Sequence, residues 1–326
     1  MSQTIKTRVV GVDIGVEVTT YAVVDIRGFI IAEDRIHTPD YPNVNDFVNM
    51  LSEKIITLVE ANGGYETVRS VGISAPSGNF LTGCIENAGN MPWKGVIPMA
   101  AMLRDRMGLA VALGNDAHVT AIGERVYGSA HGMKNFIVIS LGHGGVGSCF
   151  FSQGNPHLGA SGSAGEVGHI CVKDGGRQCG CGRKGCLEEY ASKRGIAQTA
   201  REVLAESSES SLMRSLIDLT PEAIGLCCDQ GDVLAKEVYR RTGEMLGIGL
   251  SIYASVINPE AVILTGELTK VWKWLEEPTQ QSFDEHVFHN IRGKTPLMVS
   301  IIKDSERDVV GASALAWEVE EYSLFK

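Results

Sequence analysis

His169 and three cysteines within eight residues, Cys179, Cys181 and Cys186, have the types and spacing that point most directly to chemistry. Three thiolates and one imidazole suit tetrahedral zinc, and the glycines of Cys179-Gly-Cys181-Gly-Arg-Lys-Gly-Cys186 let the backbone bend round a single ion. Four protein ligands leave no open position, so the expected role is structural: the metal pins a loop. Glu166, in Gly165-Glu-Val-Gly-His169, and Glu188-Glu189 flank the cluster. A loop folded by metal draws Glu166, the second nitrogen of His169 and Glu188 towards one place. Such groups suit sugar hydroxyls, which both donate and accept hydrogen bonds. Glu189 reads as a solvated loop carboxylate.

Three further stretches carry chemistry less specifically. Gly142-His-Gly144-Gly-Val-Gly147 has the spacing of the dinucleotide fingerprint and follows a strand, but Ser148 to Gly154 reads as a second strand and turn. The fingerprint needs a helix there to receive pyrophosphate. A Gly-rich hairpin turn remains, either with amides offered to phosphate or as a plain turn. Asp13-Ile-Gly15 ends the first strand, where an acid beside a glycine either orients a metal-bound phosphate or simply forms the turn. Asn115-Asp116 follows a short strand; Asp116 is then a general base at a strand end, or the pair caps a helix starting near Ala117.

These residues need elements to hold them. Val9 to Asp25 and Phe29 to Ala32 read as consecutive strands joined by tight turns. Phe47, Met50, Leu51, Ile55, Leu58 and Val59 follow helical spacing, with Asn45 or Asp46 as cap and Gly63-Gly64 as stop. A strand at 68–73, a helix at 99–107 and a strand at 109–113 continue an α/β alternation. A second such unit starts near Asn135 with Phe136 to Leu141, passes helices between Pro221 and Ile257, and closes on the strand Ala261 to Leu264 before Thr265-Gly266. Between the two starts, Gly154 to Gly185 is long for a loop, and such loops are usually functional. No repeat of fixed period stands out.

The 326 residues allow two domains, and 44% apolar content with 21% charged residues excludes disorder. With 29 Lys+Arg against 39 Asp+Glu, the net charge of −10 argues against a broad grip on DNA or an anionic membrane. Met245 to Pro259, an uncharged run, is too short to span a bilayer, and the first residues lack a secretory apolar core, so a cytoplasmic location is expected. Cys84, Cys149, Cys171, Cys227 and Cys228 read as reduced, buried thiols.

The order of these motifs resembles the ROK family of repressors, open reading frames and sugar kinases. The resemblance rests on Gly11-Val-Asp-Ile-Gly15, Gly78 after Ala75-Pro76, Asn90-Met-Pro-Trp93, Gly114-Asn-Asp116, Leu141 to Gly147, Gly165 to His169, Cys179 to Glu188 and Gly311-Ala312, and spans almost the whole chain. It implies a two-domain, actin-like sugar kinase (ribonuclease H-like) α/β fold with substrate and ATP meeting in a cleft. The expected domains are 1–117 plus 306–326, and 118–305 carrying the zinc loop 165–188. Asp116 would deprotonate a hydroxyl of a hexose or N-acylhexosamine as it attacks the γ-phosphate of ATP, with magnesium neutralising the transferring group. Gly78, Asn90, Asn115, Glu166, His169 and Glu188 would hold the sugar. Asp13 and Gly15, then Gly142, Gly144 and Gly147, then Gly266, would serve the nucleotide, and His169 with the three cysteines the zinc. A homodimer or higher homo-oligomer is implied.

The nucleotide motifs depart from the family pattern while the sugar and zinc positions keep it. Val16 and Glu17 replace a glycine and a threonine, His143 and Val146 replace a threonine and a small residue, and Glu267 interrupts a glycine turn. A carboxylate ~4 Å from phosphate costs roughly 1 kcal/mol in water and about 4 near a protein surface. The alternative reading is therefore a carbohydrate-binding family member with weak or no transfer, acting as a sugar sensor. The family's DNA-binding repressors place a helix-turn-helix before the first phosphate motif, where this sequence has ten residues ahead of Gly11, so nucleic acid is not an expected partner.

Overall fold

A computed structural model describes residues 5–142 and 145–319. The chain divides into two units: Met1–Gly132 with Leu158–Gly162 and Ile301–Lys326, and Met133–His157 with Ser163–Ser300. In the first, β1 (Arg8–Ile14), β2 (Val18–Asp25) and β3 (Ile30–His37) form an antiparallel run closed by α1 (Val44–Ala61). Then follow β4 (Val68–Ala75), a small ribbon of β5 (Gly78–Asn79), β6 (Cys84–Glu86) and β7 (Val96–Ile97), α2 (Met99–Met107), β8 (Ala110–Asn115) and α3 (Asp116–Val126). The main sheet runs β3-β2-β1-β4-β8, with β4 parallel to both β1 and β8. Phe47, Leu51, Ile55 and Val59 make the buried stripe of α1 against Val10, Val12 and Ile14. Its cap is Asn43, whose side-chain oxygen accepts from the Asn45 amide, and not Asn45 or Asp46 as the spacing suggested.

The second unit contains β9 (Phe136–Gly142), β10 (Gly145–Ser152), β11 (Asn155–Pro156), α4 (Glu188–Ala191), α5 (Lys193–Glu206), α6 (Pro221–Asp229), α7 (Val233–Ile257), β12 (Ala261–Thr265), α8 (Trp272–His286) and β13 (Leu297–Val299). Its sheet, β11-β10-β9-β12-β13, repeats the plan of the first: three antiparallel strands, then two parallel ones. Its core is built from the inward faces of β9 and β12 together with apolar residues of α5, α6, α7 and α8. Among the described residues no helix is long and apolar enough to cross a membrane.

The chain then returns to the first unit as α9 (Arg307–Glu318). Successive strand residues face opposite ways, so Val9, Gly11 and Asp13 share one face of β1, and Ser70, Gly72 and Ser74 one face of β4. Glycine lets α9 lie directly on that face: a side chain at Gly11 would strike the Val309 carbonyl, and one at Gly72 the Ala312 carbonyl. The Ser70 hydroxyl donates to the Ala316 carbonyl at 2.6 Å. The partners step back towards the start of the helix as the strands advance, which brings its first turn, with Arg307 and Asp308, towards Asp13 and Ser74. Gly311 lets α3 approach as closely, since a Cβ there would lie 2.6 Å from the Val119 carbonyl. Because α3 packs on α9, the first unit includes all of α3, whereas the expected boundary at 117 falls inside that helix.

Candidate active site

The thiol loop gathers in the second unit. One ligand atom from each of His169, Cys179, Cys181 and Cys186 lies within 4.8 Å of the others. His169 Nδ1 is 3.7 Å from Cys179 Sγ, and Cys181 Sγ is 3.6 Å from Cys186 Sγ. Soft sulfur and imidazole donors at this separation fit one tetrahedral cation. Hydrogen bonds from the Arg183 backbone and side chain pull the Cys181 thiol down to about 6, while burial first pushes the Cys179 and Cys186 thiols up. Arg177 ties the loop to α5: it donates to Glu202 and to the Thr199 hydroxyl, and its guanidinium sits 4.6 Å over the Tyr190 ring. Nothing in the motif spacing pointed to Arg177, because its partners lie far along the chain.

Glu188, the first residue of α4, turns towards the cluster, with Oε1 3.3 Å from Cys179 Sγ and 3.8 Å from His169 Nδ1. His169 and Glu188 therefore meet, but through Nδ1, the nitrogen that also faces Cys179, and not through the second nitrogen as the sequence suggested. Glu166 stands on the same short turn as His169, whose amide donates to its carbonyl at 3.2 Å, but its carboxylate is exposed. Burial first, and then the Glu166 charge, push the Tyr253 phenol up to about 12. Glu189 is not a solvated loop carboxylate: it is buried and accepts from Arg194 at 2.6 Å, since α4 turns it inward. Cys171 is exposed beside Cys186 and Cys84 is half-buried, whereas Cys149, Cys227 and Cys228 are buried as expected.

In the first unit Asn115 ends β8 and caps α3, its side-chain oxygen accepting from the Ala117 amide at 2.8 Å. The capping alternative holds for Asn115, and it fixes Asp116 in the first turn of the helix. Asp13 faces α9, and burial first, then the charges of Asp308 and Asp116, push its carboxyl up to about 8 against the facing Ser74 hydroxyl and Arg307. Asp13, Asp116 and Asp308 offer hard oxygen donors, the type that magnesium takes. Arg307 and Asp308 escaped the sequence reading; the only signal was an acid–base pair just before Gly311-Ala312. Gly78 lies on β5, where a Cβ would be 2.5 Å from the Gly114 carbonyl, and Asn90 is exposed in the turn between β6 and β7.

The phosphate-type turns are hairpins. Gly15 donates to the Val18 carbonyl at 3.1 Å, and a Cβ on it would lie 2.5 Å from that oxygen, so the β1–β2 turn itself requires glycine. Val16 packs against the core of the first unit, and the Glu17 carboxylate lies 3.7 Å from His37 Nε2. Gly142 and Gly145 pair at the end of the β9–β10 hairpin, Gly147 pairs with Ser140, and Val146 is buried. Gly144 and His143 lie outside the described residues. A strand follows the glycines, so the dinucleotide reading fails as expected. Gly266 adopts a positive φ of 93° against the Leu141 carbonyl, and Glu267 beyond it forms an ion pair with Lys193.

Two α/β units on the same strand plan, one ending a strand in Asn-Asp and the other carrying a Cys3His loop, make an actin-like two-domain protein. Residues 9–319 match the model of the ROK family, and the chain belongs to that family. A glucokinase from Halalkalibacterium halodurans is 30% identical over 321 residues, 95% of each chain. An N-acetylglucosamine repressor from Escherichia coli O157:H7 is 30% identical over 213 residues, covering 65% of this chain and 51% of the repressor. A ROK family glucokinase from Streptomyces griseus, solved with glucose and AMPPNP, superposes with a TM-score of 0.76 at 28% identity, covering 96% of this chain and 100% of that one.

Proposed function

We propose that the chain is a sugar kinase that transfers the γ-phosphoryl group of ATP to a hydroxyl of a hexose or an N-acylhexosamine. Asp116 carries the reading: a carboxylate fixed at the first turn of α3 by the Asn115 cap, in the field of Asp13. It accepts the hydroxyl proton as the oxygen attacks phosphorus. The positions that the family pattern assigns to the sugar are Asn90 and Asn115 in the first unit, and Glu166, His169 and Glu188 in the second, all of them side chains that can donate or accept to hydroxyls. The turns that carry Gly15 in the first unit and Gly142, Gly147 and Gly266 in the second are the places that the family pattern assigns to the nucleotide. Asp13 would hold the magnesium that offsets charge on the transferring group. His169, Cys179, Cys181 and Cys186 would hold a zinc that supplies folding energy to the loop.

A second reading, a sugar sensor with weak transfer, is favoured by the Glu267–Lys193 ion pair at the turn where glycine was expected. An ADP-release assay across hexoses and N-acylhexosamines separates the two. Turnover is expected with at least one sugar. Asp116→Asn is expected to lower kcat by about 10²–10⁴-fold while sugar-induced thermal stabilisation persists. Stabilisation by sugar without turnover selects the sensor, and an unchanged kcat in Asp116→Asn removes that residue as the base.

A further inference from the structure

The first turn of α9 holds an arginine that no motif assigns. Arg307 is largely buried, with 16% of its side chain exposed. Its Nε and Nη2 donate to the two oxygens of Asp308, each at 3.0 Å, and Nη1 donates to Asp304 at 2.8 Å. The guanidinium is therefore held on both edges, and a planar fork so pinned keeps its place. The strand-to-helix register carries this turn towards Asp13, and the close approach of α3 at Gly311 brings Asp116 into the same field. Burial works against the Arg307 charge, but Asp308, Asp304 and Asp116 outweigh it. The carboxylates of Asp116, Asp304 and Asp308, and the Asp13 carboxyl that burial holds towards its protonated form, thus share one fixed positive charge.

We propose that Arg307 is a tethered cation of the phosphoryl-transfer site, a positioning residue that is itself held by Asp308 and Asp304 and takes part of the charge compensation for Asp13 and Asp116 otherwise left to a divalent ion. The inference rests on the kinase reading for its catalytic consequence, but its cation role can be read without turnover. With Arg307 neutralised, the carboxylates are left to a mobile cation, so divalent affinity rises. The phosphoryl step loses a preorganised charge, while the sugar-holding side chains of the second unit are untouched.

The experiment uses the full chain and Mn2+ alone as the probe, read by electron paramagnetic resonance, beside steady-state kinetics and melting temperature. Arg307→Met and Arg307→Gln are expected to bind Mn2+ at least ~10-fold more tightly than wild type. They should lower kcat by about 10²-fold and leave the sugar KM within about 2-fold. Arg307→Lys keeps the wild-type Mn2+ affinity and recovers part of kcat, which a purely structural arginine would not do. Arg307→Gln retains an amide donor for Asp308, so it separates charge from folding if the methionine variant melts early. Folded neutral variants that bind Mn2+ no more tightly than wild type overturn the proposal, as does a kcat loss that follows the folded fraction alone. A wild type without turnover on any sugar sinks the kinase reading instead, and the Mn2+ comparison still decides Arg307.

Discussion

Glu17 shows how a single side chain alters the reading of a motif. In the sequence it is a carboxylate where phosphate is expected. In the structure it faces His37, whose pKa is raised by its hydrogen bond to Asp40 and further by Glu17. Glu17→Thr is therefore expected to change the nucleotide KM by less than about 3-fold in steady-state kinetics; a tightening of tenfold or more would mean that the carboxylate does meet phosphate. Asp13 makes the opposite case, since its crowding is invisible in Asp13-Ile-Gly15. Its folded pKa of about 8 lies above the unfolded value near 4. As pH rises the unfolded chain releases its proton first, so stability falls between about pH 4 and 8. Asp13→Asn should raise the melting temperature at pH 8 by about 2–4 °C, roughly 1 kcal/mol, with the gap closing by pH 4 when the two are melted side by side without divalent ions.

At the level of elements, the loop from 165 to 188 depends on its thiols. Apart from one short turn and two isolated bridges, its described residues form no regular ladder, and few apolar side chains cover it. Metal affinity is then folding energy for the segment that carries His169 and leads into Glu188. Elemental analysis of purified protein is expected to find one zinc per chain, and chelation to raise the sugar KM by about 10-fold while lowering the melting temperature. A metal-free protein with an unchanged KM would remove zinc from the account. α9 is the other decisive element, with no chemistry of its own in the motif list. Glycines on β1 and β4, and its own Gly311, let it press against β1, β4 and α3 so that its first turn is directed towards Asp13. That dependence is legible only once the register is known, because Gly11 and Gly72 read in the sequence as ordinary strand glycines.

On the scale of the whole molecule, each unit has its own apolar core, built round a five-stranded sheet. Calorimetry should resolve two transitions: chelation lowers the one that belongs to the second unit, and Asp13→Asn at pH 8 raises the other; a single transition moved by both would mean that the cores melt as one. The duplicated strand plan left no repeat in the sequence, because a sheet needs only apolar residues at alternate places and tolerates any that fit. By itself the sequence determined the family, the strand-rich start of each unit, the thiol cluster and the candidate base, for these rest on local spacing and residue type. Only the tertiary structure decided that Asn115 is a cap, that Glu189 is buried against Arg194, that Glu17 turns to His37 and that Arg307 stands among four aspartates. Charge and burial at a site are set by partners distant along the chain, and no local pattern records which of them the fold brings near.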